Sequence, residues 1–389
     1  MKINIYPIKS DLKHDELEKR TLSFLEEIME GTDLELRIVN LSELYQDCSA
    51  SFILVQSGGS EGKFLELFSK FKAPINILTY GSNNSLAASI EILSYLKKNG
   101  VEGEILHGSK EYIVKRIKEI ATSRTIGIIG KPSDWLISST VNVQELKKRF
   151  NIDIKFIETK ELIDEYNKIE DEKVADKTLF NPKEKLKAYK LLQAFDFLVE
   201  KYELNGLTVR CFDLLNTACT TSCLALAKLN DRGIISSCEG DVPALITMMV
   251  VKEITEQVSF QANPSIIDVD DNTMILAHCT VPLSMCKLYS YDTHFESGIG
   301  LGIKGEIPEG KATIIKIGSD LNHYFLSEAD ILENQDDRSK CRTQIKLRLK
   351  ESVTYFLTNP QGNHHIVLLG DHTKELEAYL NSKGLSRVR

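Results

Sequence analysis

The sequence predicts an α/β protein: two Rossmann-like α/β domains followed by a C-terminal β-rich, barrel-like domain. Three observations carry that expectation. Short β-branched runs alternate with helical patterns through the first third of the chain. A second alternation of the same kind starts near Thr125. After about residue 265 helical periodicity becomes sparse and short strands follow one another at turn spacing. The domains expected from these breaks are 1–122, 123–265 and 266–389.

In the first segment INIYPI, LELRIVNL, SFILVQSG, INILTYG and EGEILHG are apolar runs of strand length. Between them, residues 14–31 and 85–100 have helical spacing. In the second of these Leu86, Ile90, Leu93 and Leu96 recur along one face, and Gly100 stands where a helix C-cap belongs. Strand–helix alternation implies a parallel sheet covered on both faces. The second segment repeats the logic. TIGIIGKPSDWLIS and IDIKFIETKELI are strands leading into turns or helices, and LTVRCFDLL is a buried strand. Residues 186–201 form an amphipathic helix, and the polar stretch 165–185 is a surface excursion. In the third segment MILAHCTVPL, GIGLGIKGEI, KATIIKIGSD, HYFLSEADIL, SVTYFLT and HHIVLLGD are strands, which suits a barrel or a sandwich.

Composition narrows the function. A formal charge of −8 argues against a nucleic-acid or membrane-surface role, since both require a basic face. No apolar run approaches the roughly 20 residues of a transmembrane helix. MKINIYPIKS reads as a first strand without the pattern of a signal peptide. The eight cysteines form no CxxC pair, so reduced thiols in a cytoplasmic protein are expected.

The densest chemistry lies between Arg210 and His278. Glu239-Gly240-Asp241 forms a turn after the strand-like IISSC, and Pro243 opens the helix that follows. Carboxylates at such a place face the crevice where open α/β sheets bind ligands, although Asp241 also suits a helix cap. His278 ends the apolar run MILAH. His364 and His365 precede IVLLGD, and alternation along a strand lets only one of the pair point toward a given site. A carboxylate and two neutral imidazoles from separate segments make a divalent-metal site that fits manganese, iron, cobalt or zinc. Weaker features are the Ser57–Gly62 turn, the Gly81–Ser85 turn with Asn83, the Lys131–Trp135 turn with the one tryptophan, and Thr293–Gly298, where His294 and Glu296 would share a strand face.

Several of these segments resemble the L-fucose isomerase-like and L-arabinose isomerase family. CEGDVPALITMMV resembles its EGD segment, FQANPSIIDVDDNTMILAHCTVP the stretch that follows, and GNHHIVLLGD its C-terminal histidine motif. YGSNNSLAASIEILSYL and IGIIGKPSDWLIS are similar to segments of its first two domains. The chain is shorter than the sugar isomerases of that family. The resemblance implies aldose–ketose isomerisation of a sugar through an ene-diol, Mn²⁺ as cofactor, and a trimer or hexamer with its site at a subunit interface. It makes Glu239 the first metal-binding carboxylate and proton-transfer base, and His278 with His364 or His365 the imidazole ligands. One departure stands out. Where the family carries its second carboxylate, this chain reads Phe260-Gln261-Ala262-Asn263. Asp268 or Asp270 would have to substitute, or Asn263 would serve as a neutral ligand or substrate contact. Arg210, Asp241, Asn263, Trp135 and Asn83 are the expected substrate or supporting contacts. The variants left open are a sulfosugar isomerase, a lyase or epimerase sharing the enediolate, and a non-catalytic sugar-binding protein.

Overall fold

Five parallel strands whose two faces are both apolar begin the fold: β1 (Lys2–Ile8), β2 (Glu35–Ile38), β3 (Ala50–Val55), β4 (Ile75–Leu78) and β5 (Gly103–Leu106), in the order β2-β1-β3-β4-β5. The structure is a computed structural model that describes residues 1–10, 16–171 and 174–389. Period-two alternation sends Ile3, Ile5, Phe52 and Leu54 to one face, against α1 (Leu17–Met29) and α4 (Lys110–Ala121). Ile53, Val55, Ile75 and Ile77 go to the other, against α2 (Glu61–Leu67) and α3 (Ser85–Lys98). In α3 the buried face is Ala88, Ser89, Ile92 and Leu96, while Ile90 is 53% exposed. The expected face is therefore rotated: small residues let the helix approach the sheet, and hydrophobicity alone does not reveal that. These elements form one compact unit, Met1–Ser123. Residues 14–15 of the first expected helix and 172–173 of the polar excursion lie outside the described residues.

The second unit is Arg124–Arg389. Its first half holds β6 (Arg124–Ile129), α5 (Val143–Phe150), β7 (Ile152–Ile157), α6 (Thr159–Lys168), α7 (Pro182–Tyr202), β8 (Gly206–Val209), α8 (Asp213–Thr217), α9 (Cys223–Asp231), β9 (Ile235–Ser237) and α10 (Val242–Thr255). The strands form a parallel sheet in the order β7-β6-β8-β9. Helices α6, α7 and α9 cover one face through Leu162, Leu191, Phe195 and Leu226.

The second half holds β10 (Phe260–Asp268), β11 (Thr273–His278), β12 (Leu288–Asp292), β13 (Gly302–Glu306), β14 (Gly310–Ile317), β15 (His323–Asn334), β16 (Thr343–Leu349), α11 (Tyr355–Thr358), β17 (His365–Leu369), α12 (Thr373–Ser382) and β18 (Ser386–Val388). Six strands close an antiparallel barrel in the order β14-β17-β10-β11-β16-β15, the last pairing back to β14. Strand β18 adds in parallel to β15. Alternation again assigns the faces. Ile314, Phe325 and Val367 belong to one core, and Ile315, Leu326, Ile366 and Leu368 to the other. That other core also contains α10, buried on every side from Val242 to Val251, and the sheet residues Ile126 and Ile235. Helix α10 thus joins the parallel sheet to the barrel, and β10 runs on through residue 265.

The run SVTYFLT is a turn and the short helix α11 rather than a strand. Tyr355 stacks on Phe325 with ring centroids 3.8 Å apart, and Phe356 packs edge-on against both rings. Consecutive aromatic rings that fill a barrel core have no need of strand alternation.

Candidate active site

The turn after β9 is built from backbone constraints. Cys238 N donates to Gln261 Oε1 at 2.7 Å, which ties the end of β9 to β10. Glu239 then adopts a left-handed conformation, φ 64°, and Gly240 follows at φ 73°. A Cβ on Gly240 would meet Lys131 O and Pro132 Cα at 2.7 Å, so glycine is required. Ser133 N donates to Glu239 O at 2.9 Å and locks the two turns together. A glutamate held at positive φ costs on the order of 1–3 kcal/mol, and such strain recurs where a side chain must be aimed.

What it aims is a carboxylate between two imidazoles. Glu239 Oε1 lies 3.7 Å from His278 Nε2 and 3.5 Å from His364 Nε2. Its Oε2 accepts the indole N–H of Trp135 at 2.7 Å. One ligand atom from each of Glu239, His278 and His364 lies within 4.8 Å of the others, and all three residues are buried. The far nitrogen of each ring is engaged. His278 Nδ1 faces Thr280 Oγ1 at 2.9 Å, and His364 Nδ1 faces Asp241 Oδ2 at 2.8 Å. Both Nε2 atoms are thereby left for the centre, the arrangement that orients histidine for a metal. His364 Nε2 is buried without a hydrogen-bond partner. The group therefore fits a divalent cation: one oxygen and two imidazole nitrogens converge, and an orphaned buried nitrogen needs a partner.

Charge follows from these contacts. Burial works against ionisation of Glu239, but His364 and His278 outweigh it and hold the carboxyl well below the usual carboxylate range. Burial also opposes the His364 charge, yet Glu239 and Asp241 together raise that ring to about 9. His278 has no second carboxylate, and burial lowers its pKa so that it stays neutral. Asp241 is resisted by burial but drawn down to about 2, chiefly by Lys316, whose Nζ is 3.5 Å away in a buried pair. Asp241 also caps α10 by accepting Ala244 N at 2.8 Å, so its helix-cap and site roles coexist.

A small, partly open cavity lies beside the group. Phe212, Ser222, Asn263, His294 and Glu296 line it together with Glu239 and His278. Asn263 Oδ1 and Ser222 Oγ are buried there with no hydrogen-bond partner. Cys211, Cys223, Cys238, Cys279 and Cys341 also contribute to the wall, and all eight cysteines are free thiols.

The remaining expected residues are placed as follows. Trp135 packs edge-on against Phe212, with centroids 4.6 Å apart. Arg210 does not point at the cavity centre. Its guanidinium is taken by Asp134, Asp213 and the Pro132 carbonyl, so it anchors the loop that presents Trp135. His365 turns away from the cluster: its Nε2 meets Tyr355 Oη at 3.1 Å and its Nδ1 the Asn363 carbonyl. Asp268 does not join the group either. It is exposed, five residues beyond Asn263 on β10 and thus roughly 15 Å along the strand, and it accepts the Asp271 N–H of its own turn. Asn83 belongs to the first unit, in the left-handed turn before α3. No sequence motif marks Thr280 or Lys316. The lysine has one sequence signal, a charge inside the β-branched run TIIKI. His294 and Glu296 lie on a turn rather than a strand, and both reach the cavity.

No family model matches the chain. Among curated proteins it is similar to a sulfoquinovose isomerase of Clostridium sp. (strain MSTE9), 29% identical over 193 residues, 45% of this chain and 43% of that protein. It is 21% identical over 283 residues to a sulfoquinovose isomerase of Priestia aryabhattai, 68% of this chain and 64% of the relative. A third, from Alkalicoccus urumqiensis, is 19% identical over 328 residues, 78% of this chain and 73% of the relative. In the first two the match spans less than two thirds of the relative's own length.

Proposed function

We propose that the protein is a metal-dependent aldose–ketose isomerase of the L-fucose and L-arabinose isomerase type, acting on a sugar or sugar derivative, with a sulfosugar such as sulfoquinovose among the candidates. The observation that carries this reading is the convergence of Glu239 Oε1, His278 Nε2 and His364 Nε2 beside a cavity whose wall mixes polar side chains with thiols and apolar groups. The distant relatives, named for an isomerase of one sugar, support the same reaction class.

Glu239, His278 and His364 would hold the cation, with manganese the first choice, and Asn263 Oδ1 is a neutral oxygen donor on the same wall. When bound, such a cation supplies Lewis-acid stabilisation of the enediolate oxygens. The chain's own groups do the rest. Glu239, kept ionised, is an acceptor for the proton on the carbon next to the carbonyl. Trp135 holds that carboxylate in place through Oε2. Ser222 and Asn263 offer unspent hydrogen-bonding atoms to sugar hydroxyls. A homo-oligomer also belongs to this reading. Ile137 is 90% and Leu357 60% exposed, and their neighbours Ser138 and Phe356 line a second cavity.

The test is direct. The purified protein is analysed for bound metal, then incubated in D₂O with L-fucose, L-arabinose and sulfoquinovose. Ketose formation with deuterium at C1 or C2 is expected. Fragmentation of the carbon chain would instead identify a lyase, and no exchange with no metal would identify a binding protein.

A further inference from the structure

This inference rests on the isomerase reading. Moving a carbonyl from C1 to C2 requires two proton transfers, one between carbons and one between oxygens. Glu239 would hold the carbon-bound proton throughout the enediol stage, and its Oε2 is taken by Trp135, so the oxygens call for a second group. The amide of Asn263 is no acid–base group at neutral pH. Among the described residues that wall the cavity, Glu296 is the one other carboxyl.

Glu296 sits in the turn between β12 and β13, and that turn is fixed on both sides. Arg342 Nε donates to Thr293 O at 2.7 Å, and His294 N donates to Ile299 O at 3.1 Å. Thr221 Oγ1 donates to Leu301 O at 2.8 Å and accepts Leu301 N at 3.0 Å. Gly300, at positive φ, lies so close to Thr221 that a Cβ would come within 2.7 Å of it. The backbone is held, and the exposed Glu296 side chain lines the cavity wall with no hydrogen bond or ion pair among the described residues. Beside it, His294 Nδ1 lies 3.0 Å from Ser297 Oγ and 3.4 Å from Ser297 N within the same turn.

We propose that Glu296 is the second acid–base residue of the reaction and carries the oxygen-bound proton while Glu239 carries the carbon-bound one. The C2–H bond breaks toward Glu239, and its electron pair forms the C1=C2 bond. The carbonyl π pair moves onto O1, which takes the Glu296 proton to give the enediol. The O2–H proton then returns to Glu296 as C2=O forms, and C1 receives the proton held by Glu239. Both carboxyls end as they began, and nothing is oxidised or reduced overall. Partial desolvation of the Glu296 carboxyl, with the Glu239 charge adding to it, moves its pKa upward from the ordinary carboxylate value.

The test uses the full-length, metal-loaded protein with Glu296→Gln and Glu296→Asp, assayed on the sugar of the panel that the wild type turns over best. For Glu296→Gln, kcat is expected to fall about 10²-fold or more, with KM within about threefold and bound metal and melting temperature unchanged. Glu296→Asp, which keeps the carboxyl, is expected to recover at least about a tenth of the turnover. A Glu296→Gln protein within threefold of wild-type kcat overturns this assignment alone, as does a loss that comes with loss of metal or that Glu296→Asp does not reverse. A wild type inert on every sugar of the panel overturns the isomerase reading and this assignment with it.

Discussion

His364 Nδ1 and Asp241 Oδ2 lie 2.8 Å apart, and both side chains are wholly shielded from solvent. The contact sets which nitrogen of His364 faces the candidate metal centre. It also makes one carboxylate serve two purposes, because the other oxygen of Asp241 caps α10. Asp241→Asn separates them. An asparagine oxygen caps a helix about as well as an aspartate, but the charge that supports the imidazole is gone. Metal affinity is expected to fall about 10- to 100-fold, the usual effect of losing such a supporting carboxylate. Far-ultraviolet circular dichroism should be unchanged. Competition with a chelator measures the affinity, and an unaltered constant would remove Asp241 from the site.

Lys316 is the cation on the far side of Asp241, 3.5 Å from Oδ1 and buried. Removing one partner of a buried pair leaves the other charge without compensation, which costs about 3–5 kcal/mol. Lys316→Met is therefore expected to destabilise the second unit by about that much. The double variant Asp241→Asn with Lys316→Met leaves no buried charge in that pair, so its loss should be smaller than the sum of the two singles. Urea denaturation of the four proteins in a double-mutant cycle checks this. Additive losses would mean that the two charges do not interact.

Trp135 is the one tryptophan of the chain, and its indole N–H donates to Glu239 Oε2. Trp135→Phe keeps the aromatic edge toward Phe212 but removes that donor. Hydrogen bonds to charged groups contribute about 1.5–3 kcal/mol, so turnover over KM is expected to fall about 10- to 100-fold. Glu239→Gln should lose at least about 10²-fold in kcat. In the unsubstituted protein, tryptophan emission should shift on titration with Mn²⁺, because the indole touches the carboxylate that would bind it. A titration that leaves the emission unchanged while the metal binds would place the ion elsewhere.

Much of the architecture is legible in the sequence, for a physical reason. Strands buried on both faces must be apolar throughout, so INILTYG and TIGIIG announce the two parallel sheets. The members of the site are legible singly. Glu239 follows a strand and precedes a proline-opened helix, and His278 and His364 stand at the ends of apolar runs. Their convergence is not, because it depends on α10 joining the sheet to the barrel across contacts distant in sequence. The same limit hides Lys316 and Thr280, whose roles exist only beside Asp241 and His278. It also misleads at Arg210, whose charge suggests a substrate contact although Asp134 and Asp213 already occupy it. The face of α3 and the run SVTYFLT differ from expectation because close approach and aromatic stacking, rather than periodicity, decide them.

The two imidazoles of the centre should respond differently to pH. In the metal-free protein His364 has a pKa of about 9, above its ordinary 6.5. A raised pKa of a cationic group stabilises the fold fully below about 6.5, and that contribution is lost as pH rises through about 9. A cation requires the neutral ring, so binding must expel this proton. Between pH 6.5 and 9, affinity should therefore rise close to tenfold per pH unit, with about one proton released per ion. His278, held neutral by burial, has none to give. Calorimetric titration with Mn²⁺ in buffers of different ionisation enthalpy counts the released protons. Two protons would show that both rings start charged. None, with affinity flat across the range, would show that His364 is not a ligand.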